Sequence, residues 1–109
     1  MATKANLVID QGSTYSVNLD LTDENGDVID LSGYTANSQI RKWYTSSTPA
    51  ATFTTSINAA SGELTLSLTA IQTSNLVAGR YVYDVEIDQN GVISRIVEGI
   101  VTVTPQVTK

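Results

Sequence analysis

The stretch Thr14-Tyr15-Ser16-Val17-Asn18-Leu19-Asp20-Leu21-Thr22 alternates without a break. Tyr15, Val17, Leu19 and Leu21 fall on one side, and Ser16, Asn18, Asp20 and Thr22 on the other. Successive side chains of an extended strand point to opposite faces, so this is the pattern a strand with one buried face needs. Asp23-Glu24-Asn25-Gly26-Asp27 follows and turns the chain. Asn-Gly suits a turn that requires positive φ, because Gly has no Cβ to clash and Asn tolerates the left-handed region.

The same signature recurs outward from this hairpin. Residues 5–10 form a short apolar edge strand leading into Gln11-Gly12, and residues 28–33 form a connector. Residues 34–44 make the third main strand, with Ala36, Ser38 and Ile40 inward. After the Ser/Thr/Pro loop at 45–49, residues 51–57 alternate through Phe53, Thr55 and Ile57. A hairpin loop at 58–62 leads to residues 63–69, with Leu64, Leu66 and Leu68 facing one way. Residues 70–76 are the only helix-like spot, with Thr69 as its cap and Gly79 ending the connection. Residues 80–88 alternate through Tyr81, Tyr83, Val85 and Ile87, and Gln89-Asn90-Gly91 makes a tight turn. Residues 92–104 close the domain, and Pro105 ends the pairing because it has no N–H.

In that last strand Ile96 and Ile100 share one parity and Val97, Val101 and Val103 the other, so a face-switching bulge is expected at Gly99. The fold expected is an all-β sandwich of about seven strands, one domain over residues 1–109, cored by Val17, Leu19, Ile40, Phe53, Leu66, Tyr83 and Val85.

Composition narrows the chemistry. There is no Cys and no His, so disulfides, thiolate nucleophiles, Cys-based zinc sites and His-activated hydroxyls are all excluded. Six basic against eleven acidic residues give a net charge of −5, which argues against a phosphate-binding face. No apolar run reaches the length of a membrane span, and the N-terminal residues lack the apolar stretch of a signal peptide. No nucleic-acid or membrane partner is therefore expected.

Phosphate-loop and dinucleotide fingerprints are absent, as is a Gly-x-Ser-x-Gly elbow. Asp20, Asp23, Glu24, Asp27 and Asp30 gather acid around the first hairpin, but their spacing misses an EF-hand loop. A solvated turn is the plainer reading. The expectation is a protein that is not an enzyme and needs no metal or cofactor.

Arg41-Lys42-Trp43-Tyr44 is the one chemically distinctive cluster, joining two of the six basic residues to the only Trp and one of five Tyr. Aromatic and Arg side chains are favoured interface anchors, which makes these four the candidate partner-binding residues. The alternative is a strand end whose Trp lids the core while the cations reach outward. That is the plainer reading, because a lone Trp in a small β domain is commonly core, although Trp43 has parity opposite to Ile40, which leans toward the interface.

Leu76-Val77-Ala78-Gly79-Arg80-Tyr81-Val82-Tyr83-Asp84 is similar to the corner before strand F of immunoglobulin-like domains. Further segments join it: Gln11-Gly12-Ser13-Thr14, then Asp23-Glu24-Asn25-Gly26-Asp27-Val28-Ile29-Asp30-Leu31-Ser32-Gly33-Tyr34, then Gln39-Ile40-Arg41. Gly62-Glu63-Leu64-Thr65-Leu66-Ser67-Leu68-Thr69 and Glu98-Gly99-Ile100-Val101-Thr102-Val103 complete the set. With these the chain resembles the small immunoglobulin-like virion proteins of tailed bacteriophages, including the N-terminal domains of phage baseplate upper proteins.

That resemblance implies an immunoglobulin-like β-sandwich acting as a virion structural protein in capsid, neck, tail or baseplate. Its partners would be other virion proteins, with the chain self-associating or present in many copies on a symmetric partner. It would be made in the host cytoplasm and reside in the virion. The strand at 5–10 and the tail at 106–109 are the contact elements expected from their terminal position. A carbohydrate- or host-surface-binding adhesion module is the alternative, with Trp43-Tyr44 as its aromatic platform.

Overall fold

The computed structural model describes residues 3–22 and 26–107. The elements in chain order are β1 (Thr3–Lys4), β2 (Leu7–Asp10), β3 (Tyr15–Asp20), β4 (Thr35–Arg41), β5 (Ala51–Thr52), β6 (Thr54–Asn58), β7 (Glu63–Leu68), α1 (Ala70–Ser74), β8 (Gly79–Gln89) and β9 (Val92–Thr104). The large sheet runs β9-β8-β4-β5, with β1 and β2 both added to β9, and the small sheet runs β3-β7-β6. Only β1 and β2 pair in parallel; the other ladders are antiparallel.

Setting β3-β7-β6 against β4-β8-β9 reproduces the B-E-D and C-F-G order of an immunoglobulin-type sandwich. The expected strand count of about seven becomes nine among the described residues, the two extra being the two-residue β1 and β5.

One buried cluster joins the sheets: Ile40, Tyr83, Val85, Val101 and Val103 from the large sheet meet Leu64, Leu66 and Leu68 from the small one. Phe53 links them, its ring centroid 6.3 Å from Tyr15 and 6.3 Å from Tyr83. Val17 and Leu19, expected in the core, are only half-buried, because β3 has a neighbour on one side alone.

Residues 51–57 are not one strand. The chain pairs with the large sheet as β5, then crosses at Phe53 and joins the small sheet as β6. Phe53 N donates to Ser38 O (2.9 Å) and Thr55 Oγ1 to Ala36 O (3.0 Å), so the crossover stays hydrogen-bonded to β4.

The expected bulge at Gly99 lies elsewhere. Val85 pairs with Val97 and Glu86 with Arg95, which leaves Ile96 as the extra residue, while Gly99 sits in register opposite Tyr83. Gly99 serves a close approach instead: a Cβ there would run into Ala5 O. The bend between β1 and β2 rests on this spot, where Ala5 N donates to Glu98 O (2.9 Å), Ile100 N to Asn6 Oδ1 (3.1 Å) and Tyr83 OH to Ala5 O (2.6 Å).

The helix begins on a reciprocal cap. Gln72 N donates to Thr69 Oγ1 (3.2 Å) and Thr69 N to Gln72 Oε1 (2.8 Å). Its buried Thr73 hydroxyl donates to Ser13 O (2.8 Å) and accepts from Gly12 N (3.0 Å), tying the helix to the turn between β2 and β3. Gln11 extends the tie, donating from Nε2 to Leu76 O (2.7 Å) and accepting at Oε1 from Gln106 N (3.0 Å). The β8–β9 hairpin closes on Asn90 (φ 54°) and Gly91 (φ 86°), the left-handed pair of a tight two-residue turn.

Candidate docking end of the large sheet

β4 and β8 are antiparallel, so the loop after β4 and the corner before β8 meet at one end of the sandwich. Tyr81 fixes that corner: its OH donates to Val77 O at 2.7 Å, the tyrosine-corner bond of immunoglobulin-type domains. Lys42 lies across it, with Nζ donating to Arg80 O (3.0 Å) at 4.9 Å from the Tyr81 ring centroid and 5.8 Å from that of Trp43. The ammonium is thus set between two aromatic rings, whose faces attract a cation.

The loop itself is tightly pinned. Ser46 N donates to Trp43 O (3.1 Å), and Trp43 N donates back to Ser46 Oγ (3.0 Å). Arg41 donates from Nη1 to Ser46 O (2.8 Å) and from Nη2 to Gln39 Oε1 (2.8 Å). Held in this way, Trp43 is 66% exposed and Tyr44 76% exposed. The alternative that Trp43 lids the core is overturned: β4 ends at Arg41, short of the expected residue 44, so both rings sit on the turn beyond it whatever their parity. Arg41 and Lys42 brace the turn, and the two rings project from it.

Tyr44 also borders two hollows on the outer face of the large sheet. One, of about 380 Å³, is shared with Gln39, Val82, Asp84, Glu86 and Arg95. The other, of about 410 Å³, is shared with Lys4, Asn6, Glu98, Gly99 and Ile100. The residues of β8 and β9 were not singled out as site residues from the sequence, although the alternation Val82, Asp84, Glu86 already placed them outward.

Within the described strands, basic residues keep to one sheet, although that sheet also carries Asp10, Asp84, Glu86, Asp88 and Glu98. Lys4, Arg80 and Arg95 lie in strands of the large sheet, Arg41 ends β4 and Lys42 follows it, whereas β3, β6 and β7 contain no Lys or Arg.

Other candidates resolve into structure. Of the acids around the first hairpin, Asp23 and Glu24 lie outside the described residues. Asp30 Oδ1 accepts from Ser32 N (2.9 Å), and hydrogen bonding from Ser32 holds the Asp30 carboxyl below the usual carboxylate range. Among the described residues no group of three or more His, Cys, Asp or Glu side chains is placed to hold a metal ion. Burial, with Tyr15 nearby, pushes the Tyr83 phenol up to about 12. Of the tail at 106–109, residues 108–109 lie outside the described residues, and Gln106 N donates to Gln11 Oε1. No helix among the described residues is long and apolar enough to cross a membrane.

Compared with known proteins, the chain matches no protein-family model and no curated protein sequence.

Proposed function

We propose that this chain is a non-enzymatic structural protein of a tailed-bacteriophage particle. On this reading it sits in capsid, neck, tail or baseplate and binds other virion proteins through Arg41, Lys42, Trp43 and Tyr44. The observation that carries the docking surface is the pair Trp43 and Tyr44, largely exposed on a loop pinned by hydrogen bonds. Large aromatic side chains held rigidly in solvent lose little conformational freedom on binding, which is why they recur as interface anchors. Arg41 and Lys42, next to the two rings in the chain, support an acidic, partly apolar partner surface. The virion assignment itself rests on the motif resemblance, from Gln11-Gly12 through Leu31-Ser32-Gly33-Tyr34 to the Tyr81 corner.

Quantitative mass spectrometry of purified particles tests it. The protein should be present in a copy number matching a symmetry of the particle, and recovery only from the cell lysate would rule the assignment out. A glycan- or host-surface-binding role is the second reading, favoured by Tyr44 walling a hollow with Gln39, Asp84 and Glu86. Specific binding on a glycan array, abolished by Tyr44→Ala, would select it.

A further inference from the structure

Among the described residues nothing pairs with the outer side of β3, so the small sheet carries an open edge there. β3 pairs with β7 alone, over Tyr15–Asp20 against Leu68–Glu63, because the first strands lie on β9 instead. Leu21 N donates to Gly62 O (2.9 Å) in the continuation of this ladder. Antiparallel ladders alternate, so the N–H and C=O groups of Tyr15, Val17 and Leu19 turn toward β7. Those of Ser16, Asn18 and Asp20 turn toward the open side.

A second observation marks the same place. Tyr15, Val17 and Leu19 face the core, yet all three are only half-buried, while their cross-strand partners Leu68, Leu66 and Leu64 are buried. The two sets share one face of one sheet, and the difference is the missing strand beside β3. The opposite edge differs: at β6 the crossover from β5 closes the sandwich through Phe53 N to Ser38 O and Thr55 Oγ1 to Ala36 O. Of the usual devices that blunt an edge, β3 has only the charge of Asp20 at its end, with no Pro, no Lys and no bulge.

We infer that β3 pairs with β3 of a second copy of this chain, antiparallel about a twofold axis at Asn18. Ser16 and Asp20 then face their counterparts Asp20 and Ser16, and Asn18 faces Asn18. This register pairs every open backbone group with about six interchain hydrogen bonds. Charge selects it: Asp20 is the only charged residue of β3, and the antiparallel register sets the two copies of it at opposite ends. A parallel register would stack Asp20 on Asp20 in a protein already at −5. The twofold contact is isologous and closes, so association stops at two chains. This surface lies on the other sheet from the aromatic end and does not depend on the function proposed above.

Sedimentation equilibrium of the full chain from micromolar to millimolar concentration tests the pairing. Wild-type protein should move from monomer to dimer and no further. Asn18→Lys and Asn18→Asp each bring like charges together on the axis and should raise the dissociation constant by about tenfold or more. An equimolar mixture of the two should recover wild-type association, a result that unfolding of either variant cannot produce. A wild-type chain that stays monomeric at millimolar concentration overturns the inference. So does unchanged self-association of the charged variants, or a mixture that remains monomeric.

Discussion

Thr73→Val is the sharpest probe of how the helix is held to the β2–β3 turn. The side chain is fully buried, and its hydroxyl is the shared partner of Ser13 O (2.8 Å) and Gly12 N (3.0 Å). Valine keeps the shape and removes both bonds. Each bond is worth about 1 kcal/mol net, and the groups left behind, on half-buried Gly12 and exposed Ser13, can turn to water. The expected loss is therefore about 2 kcal/mol, a fall of at least about 8 °C in melting midpoint for a domain of this size. Thr73→Ser is the control, since it keeps the hydroxyl and removes only a methyl group, at about 1 kcal/mol. Urea melts at matched pH measure both variants. If valine is as well tolerated as serine, the hydroxyl does not join the helix to the β2–β3 turn and the reasoning fails.

Two further outcomes follow from the seam at Ala5. Tyr83 holds its proton to about 12 while an unfolded tyrosine releases it near the ordinary value of about 10. The folded state thus binds the proton more tightly. Stability from this group is complete below about pH 10 and falls as pH rises through about 12, and Tyr83→Phe should flatten that part of a denaturant-versus-pH profile. Gly99→Val should detach the first strands, since a Cβ there meets the Ala5 carbonyl. Amide exchange would then rise at Ala5 and Ile100, both bonded at the seam, while Leu64 and Leu66 in the small sheet stay protected.

Much of this architecture was legible in the residues. Period-2 alternation located β3, β7 and β8, whose inward residues need only one sheet behind them. Asn90-Gly91 and Thr69 marked a turn and a cap because those conformations demand such side chains. What escaped were features set by long-range geometry. The switch at Phe53 is invisible within 51–57, since both halves alternate in phase and only the hydrogen bonds to β4 show the crossing. Gly99 stood out correctly as special, but its reason is Ala5, 94 residues away in register along β1 and β9. Val17 and Leu19 fit a core pattern, yet their burial depends on a neighbour that sits on the other sheet. At the docking end, the basic-aromatic composition was readable, whereas the end of β4 at Arg41, which frees both rings from strand parity, was not. The bracing roles of Arg41 and Lys42 were not, because their partners Ser46 O and Arg80 O are backbone groups that any sequence would supply.

The central claim is that Trp43 serves a partner and not the fold. Trp43→Ala, measured both for thermal stability and for affinity toward particles assembled without the protein, addresses it directly. The side chain is largely exposed, so melting should change by no more than about 0.5 kcal/mol. Loss of an interface anchor should weaken binding by about 2 kcal/mol or more, roughly thirtyfold in dissociation constant. A variant that melts early yet binds the particles as tightly as wild type would contradict the account.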